Sequence, residues 1–443
     1  MGKIKEWAII NVAYRIADLK FHTSVTKWYN RIAQMRRWTP QKIVAWQEEL
    51  LRKRIEHAYN HIPYYKKLFD NLDISPSDIN SIADLEKIPI MTKEEIIKHR
   101  DELIPDDISK YGNHKVSTGG TSGNPLAYIS DNASWGFLEA LRIHGWKQSG
   151  FRYGDKFAAL GSTSIGVGKE KSVFHKMYYA LRGKVAMNSK TLSEKELARY
   201  ASIISEQNIH YIYGYGSSIF LFARYVTENN LSSTMEIRAV FPTSDLLTDI
   251  YVEAIKKAWG CEIIDSYGAH DGSIGAYRRI GEPGFKVGYN TIVQTDNSLG
   301  TNHGNAILTD LIGMAFPFIR YDVCDVVELD TKASYSTDYN GQVIKTLVGR
   351  VTDVIKLSNG HYLTGISLNN LFKDLPILGY RVDVIHDDEI RATIVPSPHF
   401  TNEDQQELQA ALEEFIGNNY TITIAITNEL EKRPNGKSVF LMV

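Results

Sequence analysis

Residues 117–125 read Ser117-Thr118-Gly119-Gly120-Thr121-Ser122-Gly123-Asn124-Pro125. Glycines let a backbone come close to a ligand and turn its N–H groups toward it. The four hydroxyl side chains add further donors, so the stretch suits phosphate oxygens. It is not a Walker loop, because no Gly-Lys-Ser/Thr follows, and it is not a dinucleotide fingerprint, because G-x-G-x-x-G is missing. Taken alone, the same residues also suit an ordinary flexible Ser/Gly loop. An apolar piece, 126–129, flanks it.

Downstream, helical and short apolar segments alternate. Residues 197–208, 219–227 and 250–259 have helical periodicity, and 209–212, 239–241 and 262–264 have the look of buried strands. This β-α-β rhythm predicts an α/β fold with a mostly parallel sheet covered by helices on both faces. Residues 286–330 change character: the alternation at 306–311 and 318–329 predicts an antiparallel or barrel-like segment. Beyond 349 the pattern predicts paired strands over 379–395, a helix over 402–416 and strands at 420–427 and 438–443. The expected organisation is a large domain over 1–348, opening with a basic helical arm over 1–60, and a small α+β domain over 349–443. Upstream, Ile43, Trp46, Leu50, Leu51, Ile55 and Ala58 share one face of a helix over 41–60, Pro63 breaks that pattern, and Thr92-Lys93-Glu94-Glu95 is a capping box.

The chain has 443 residues, 43% hydrophobic and 23% charged, with a net charge of −2. That is ordinary for a soluble globular chain with a sizeable core, and it excludes a globally basic nucleic-acid binder; no nucleic-acid module is recognisable either. Charge is uneven, however: residues 1–54 hold 12 Lys and Arg against 4 Asp and Glu. In this arm Ile9, Val12, Ile16 and Leu19 recur at helical spacing. Such a helix either packs on its own domain or lies on an anionic membrane surface. Cys261 and Cys324 lack metal or disulfide spacing, which fits a reducing cytoplasm. No secretory signal or membrane span is read. A paired-histidine motif on a helix is not read, so a metalloenzyme is set aside. Gly214-Tyr215-Gly216-Ser217 has the wrong spacing for a serine-hydrolase elbow.

The 117–125 segment resembles the phosphate-binding loop of the adenylate-forming superfamily. Four further pieces follow in that superfamily's order. Ser266-Tyr267-Gly268-Ala269-His270-Asp271 resembles its Tyr-Gly-x-x-Glu motif. Arg320-Tyr321-Asp322-Val323-Cys324-Asp325, after Ala315-Phe316-Pro317, resembles its Arg-Tyr-x-x-x-Asp segment. Gly349-Arg350-Val351-Thr352-Asp353 resembles its hinge, and Pro434-Asn435-Gly436-Lys437 its terminal Pro-x-Gly-Lys. The run from Arg54-Ile55 through Pro63-Tyr64-Tyr65 to Asp84-Leu85-Glu86-Lys87-Ile88-Pro89-Ile90 resembles the opening of the phenylacetate–CoA ligase-like and CapK-like branch, as does the 240–246 segment.

The resemblance implies ATP- and magnesium-dependent activation of a carboxylic acid to an acyl-adenylate. It implies ATP contacts from Ser117, Thr118, Gly119, Gly120, Thr121, Ser122, Gly123, Ser244, Asp245, Ser266, Tyr267, Gly268, Asp325 and Arg350. Tyr267 would stack near adenine and Asp325 would bond the ribose hydroxyls. Asp271 would help hold magnesium, and Lys437 would serve adenylation with Arg350. Three positions depart from the family: Asp271 stands where a longer Glu is usual, Asp245 where relatives often carry Glu, and Thr352 at the first hinge aspartate. Tyr213, Tyr215, Gly216, Ser217 and His270 are candidates for the acyl pocket, although both tyrosines also suit simple packing at a sheet edge. The acceptor is coenzyme A or an amine, such as an amino sugar of surface-polysaccharide assembly. A homologue that binds nucleotide without catalysis, a homodimer and a membrane-peripheral location are also compatible with the resemblance.

Overall fold

The computed structural model describes residues 2–111, 113–117, 126–162, 165–167, 176, 179–189, 192–330, 341–348, 354–356, 362–364, 368, 371–372, 375–386, 389–417, 420–428 and 441–442. The chain has a mixed α/β fold and divides into two compact units. One comprises Met1–Ser117, Ala127–Gly154 and Ile264–Arg350, and the other Thr118–Leu126, Asp155–Ile263 and Val351–Val443.

In the first unit the helix Pro40–His61 begins as its sequence dictates. Thr39 accepts a hydrogen bond from the Lys42 amide and Pro40 fills the first turn, where its missing N–H costs nothing. Ile43, Leu51, Ile55 and Ala58 are buried as expected. Trp46 and Leu50 are only half-buried, and Gln47 is buried instead because its amide donates to the Tyr289 carbonyl (3.0 Å). The Thr92–Glu95 capping box is present and opens the helix Lys93–Lys98. Asn113–Ser117 and Ala127–Asp131 pair as an antiparallel ladder. The larger sheet of this unit is antiparallel throughout. It runs Thr291–Thr295, His303–Asp310, Tyr321–Leu329, Val343–Val348, Phe285–Val287, Ile274–Arg279, then the strand that ends at Ala269. The described strands within 286–330 are antiparallel.

The N-terminal arm departs from its expectation. Helices Gly2–Ala8 and Tyr14–Phe21 are joined by a π-helical turn, Ile9–Ala13. That turn is wider than α-helical spacing and rotates the following residues backward. The packed face is therefore Ile9, Ile10, Tyr14 and Ala17, while Val12, Ile16 and Leu19 point outward with Ile4 and Trp7.

The second unit shows the β-α-β rhythm. Ala239–Thr243, Tyr211–Tyr215, Phe157–Gly161 and Lys184–Asn188 lie side by side in parallel register, and Glu262-Ile263 pair parallel with Ala239-Val240. All five residues of Phe157–Gly161 are buried, as expected of a parallel strand covered on both faces. Helices Glu194–Glu206, Gly216–Glu228 and Asp249–Trp259 link these strands.

Toward the C-terminus, Ile377–His386 and Glu389–Pro396 are antiparallel, with Thr421–Ile426 and Leu441–Met442 on either side. The helix Asn402–Ile416 begins at a Thr401–Asp404 capping box. Its Leu408, Leu412 and Ile416 close a core with Val382, Ile390 and Ile394.

Candidate active site

In the first unit the strand Glu262–Ala269 carries Ser266, Tyr267 and Gly268, and the turn after it carries His270 and Asp271. The strand Tyr321–Leu329 carries Asp325. Folding brings the two motifs together: the Tyr267 hydroxyl donates to Asp325 Oδ2 at 2.9 Å, and the Tyr321 hydroxyl donates to Asp271 Oδ2 at 3.3 Å. Both aspartates are half-buried and His270 is exposed. Tyr267 also meets Phe285 edge-on, with centroids 6.4 Å apart. These contacts hold an aromatic ring and two carboxylates in place.

The backbone here is strained. Ser273, Arg320 and Cys324 all adopt positive φ without being glycine, a conformation that costs about 1–3 kcal/mol and clusters at functional sites. At Cys324 an Asp322 carboxylate accepts the amide N–H at 2.7 Å, which helps to hold the turn ahead of Asp325.

The N-terminal run is bound into this segment. Arg320 donates to the carbonyls of Leu85, Glu86 and Ile88, and Met91 exchanges backbone hydrogen bonds with Arg320 and Asp322 at 2.9 and 3.0 Å. One step back, the fully buried Arg54 donates to the Phe316 carbonyl at 2.7 Å, and the Tyr65 hydroxyl donates to the Pro317 carbonyl at 3.3 Å. Asp131 accepts amides from Met314 and Ala315, and Asp310 accepts those of Ile312 and Gly313 at 3.0 and 3.1 Å. The Ala315-Phe316-Pro317 segment is thus held by Asp131, Arg54 and Tyr65. The reading from sequence missed Arg54, Asp131 and Asp310 as supports. An arginine inside an apolar stripe, between Leu51 and Ile55, was the available signal.

In the second unit the strand Tyr211–Tyr215 carries Tyr213 and Tyr215, and the helix Gly216–Glu228 that follows it directly begins with Gly216 and Ser217; the fifth candidate pocket residue, His270, belongs to the first unit. Tyr215 is buried and its hydroxyl lies 2.6 Å from Ser162 Oγ. Tyr213 is half-buried and meets Phe157 edge-on at 6.5 Å. Ser217 is buried, and its amide donates to Asp245 Oδ2 at 2.7 Å. Asp245 therefore sits at the N-terminus of the helix Gly216–Glu228, where backbone N–H groups and the helix dipole favour an anion. Burial nonetheless pushes its pKa up to about 6, and its second oxygen, Oδ1, is buried without a hydrogen-bond partner. Ser244, beside it, is exposed and has φ +71°.

Of the remaining expected site residues, Ser117 ends the strand Asn113–Ser117. Thr118, Gly119, Gly120, Thr121, Ser122, Gly123, Arg350 and Lys437 lie outside the described residues.

No family model matches the chain. Over 400 residues it is 23% identical to protein CapK of Staphylococcus aureus, covering 88% of each chain. Over 118 residues it is 33% identical to the phenylacetate-coenzyme A ligase of Aromatoleum evansii, covering 25% of each. Its fold matches solved 2-hydroxyisobutyryl-CoA ligase. The TM-score is 0.59 at 15% identity for the complex with 2-HIB-AMP and CoA in the thioesterification state, covering 92% of this chain and 91% of that one. It is 0.57 for the postadenylation complex with R3-HIB-AMP. These likenesses support the adenylate-forming reading, in fold through an acyl-CoA ligase. In sequence the chain's likeness is to CapK and to phenylacetate-coenzyme A ligase.

Proposed function

We propose that the chain activates a carboxylic acid with ATP as an acyl-adenylate and passes the acyl group to coenzyme A. The carrying observation is the Tyr267–Asp325 hydrogen bond, which holds together the ring assigned to adenine and the carboxylate assigned to ribose. Asp271 fits a magnesium ion: it is a half-buried oxygen donor fixed by Tyr321, and magnesium binds through few carboxylates plus phosphates and water. The ion would neutralise phosphate charge. In this reading the 117–125 loop donates to phosphate oxygens, and Lys437 serves adenylation as a point charge. Arg350 and the 349–353 segment form a hinge in this reading, and 349–443 is the lid that delivers and withdraws Lys437. The acid binds at the Tyr213–Ser217 segment.

ATP–pyrophosphate exchange against aryl, fatty, amino and hydroxy acids tests this. Exchange with one acid class should fall about 10²-fold or more in Lys437→Ala, and CoA should then be consumed. Similarity to CapK across 88% of the chain favours a second reading, in which the adenylate passes to an amine or amino sugar in polysaccharide assembly. Exchange without CoA consumption would select it. Nucleotide binding without exchange for any acid would leave a non-catalytic homologue.

Contact with an anionic membrane belongs to the same reading. Among the described residues no helix is long and apolar enough to cross a membrane. On the N-terminal arm, however, Ile4, Trp7, Val12, Ile16 and Leu19 are exposed, from 50% to 79%, in a segment rich in Lys and Arg. The protein should sediment with phosphatidylglycerol vesicles and not with phosphatidylcholine ones, and Trp7→Glu/Leu19→Glu should release it. Equal recovery of both proteins with the lipid would refute the contact.

A further inference from the structure

His57 and His61 stand one turn apart near the C-terminal end of the helix Pro40–His61, and Asp107 faces them from the segment just before Ile108–Lys110. One ring nitrogen of each histidine and one carboxylate oxygen of Asp107 all lie within 4.8 Å of one another. Each histidine also has a hydrogen-bond partner on one ring nitrogen. His57 Nε2 is 3.2 Å from the Met314 carbonyl oxygen, and His61 Nδ1 is 2.8 Å from Asp106 Oδ1. A carbonyl and a carboxylate fix these nitrogens as N–H donors and leave the other nitrogen of each ring with its lone pair. This is the outer arrangement that metal-bound histidines use. Asp107 supplies the independent observation. Its side chain is 10% exposed. Oδ2 accepts from the Tyr111 hydroxyl at 3.2 Å and pairs with Lys110 at 3.2 Å, yet Oδ1 is buried with no hydrogen-bond partner. A buried carboxylate oxygen left without a donor is costly.

We propose that His57, His61 and Asp107 bind a divalent transition metal of the zinc class. Two imidazoles and a carboxylate suit zinc, with water as the fourth ligand, whereas magnesium and calcium prefer all-oxygen sites. Donor atoms of a tetrahedral zinc site lie about 3.3 Å apart, so small side-chain rotations close the cluster. The neighbouring cations are Arg54, committed to Phe316, and Lys110, committed to Oδ2. Neither occupies Oδ1. The bound ion fastens the end of the Arg54-bearing helix to the 106–111 segment and so steadies Arg54 against the Phe316 carbonyl. It takes no part in the adenylation chemistry.

The test titrates zinc into the untagged, chelator-stripped full chain against a chromogenic chelator, with thermal unfolding in parallel. The expected result is one zinc per chain and a raised Tm. His57→Ala and His61→Ala should each weaken zinc by about 10²-fold and Asp106→Asn by about 10-fold, while His99→Ala and added magnesium change nothing. In the unaltered protein, zinc should shield His57 and His61 from diethyl pyrocarbonate, read peptide by peptide, so the proposal stays testable if a variant fails to fold. Zinc binding no tighter than that of the His57→Ala/His61→Ala protein, or modification of both histidines at the same rate with and without zinc, overturns it.

Discussion

At the scale of single residues, buried carboxylates shape the candidate site. Asp245 is the case with a direct consequence. Its carboxyl is fully buried, and burial outweighs the Ser217 amide that it accepts, so its pKa rises to about 6; the ordinary value for an aspartate is near 4. Between those two values the folded chain keeps a proton that the unfolded chain releases. Stability from this group is therefore complete below about pH 4 and is lost as pH rises through about 6. Asp265 follows the same direction, raised to about 6 by burial despite Arg278 at 2.9 Å. Denaturant midpoints at pH 4.5 and 6.5 should show Asp245→Asn gaining more stability relative to the unaltered chain at the higher pH than at the lower. An unchanged difference between the two pH values would show that Asp245 is not buried as its charge state requires.

At the scale of elements, the parallel sheet of the second unit leaves no room at one position. A Cβ added to Gly214 would lie 2.1 Å from the carbonyl oxygen of Leu160 on the adjacent strand, with which Gly214 is in register. Glycine in a strand marks such close backbone approach. Gly214→Ala should cost about 1–3 kcal/mol in chemical denaturation. Gly268→Ala, whose nearest atom would be 3.5 Å away, should be near neutral for stability. Equal effects would place the cause outside the strand contact. The N-terminal arm teaches a related lesson. Helical spacing identified Ile9, Val12, Ile16 and Leu19 as one stripe, but a π turn inside the helix separates Ile9 from the other three. Nothing in the local apolar spacing announces that insertion.

At the scale of the whole molecule, the reading of 349–443 as a lid makes ligand-linked stability the informative measurement. A non-hydrolysable acyl-adenylate analogue at 100 times its Kd should add about 2.7 kcal/mol to stability and slow proteolysis within 349–360. Stabilisation without that protection would retain nucleotide binding and refute the hinge.

The sequence by itself determined the β-α-β order, the helix over Asn402–Ile416 and the capping box at Thr92. Each is written in local spacing: periodicity, or a cap three residues from its partner. Only the tertiary structure decided that Tyr267 bonds Asp325, that Tyr321 bonds Asp271 and that Arg54 supports Phe316. It likewise decided that Asp245 serves the start of a helix and that His57 and His61 meet Asp107; a helix read only as far as residue 60 hid that histidine pair. These facts join residues as much as 262 positions apart. Burial and hydrogen bonding across such separations depend on which surfaces pack together, and no local pattern encodes that.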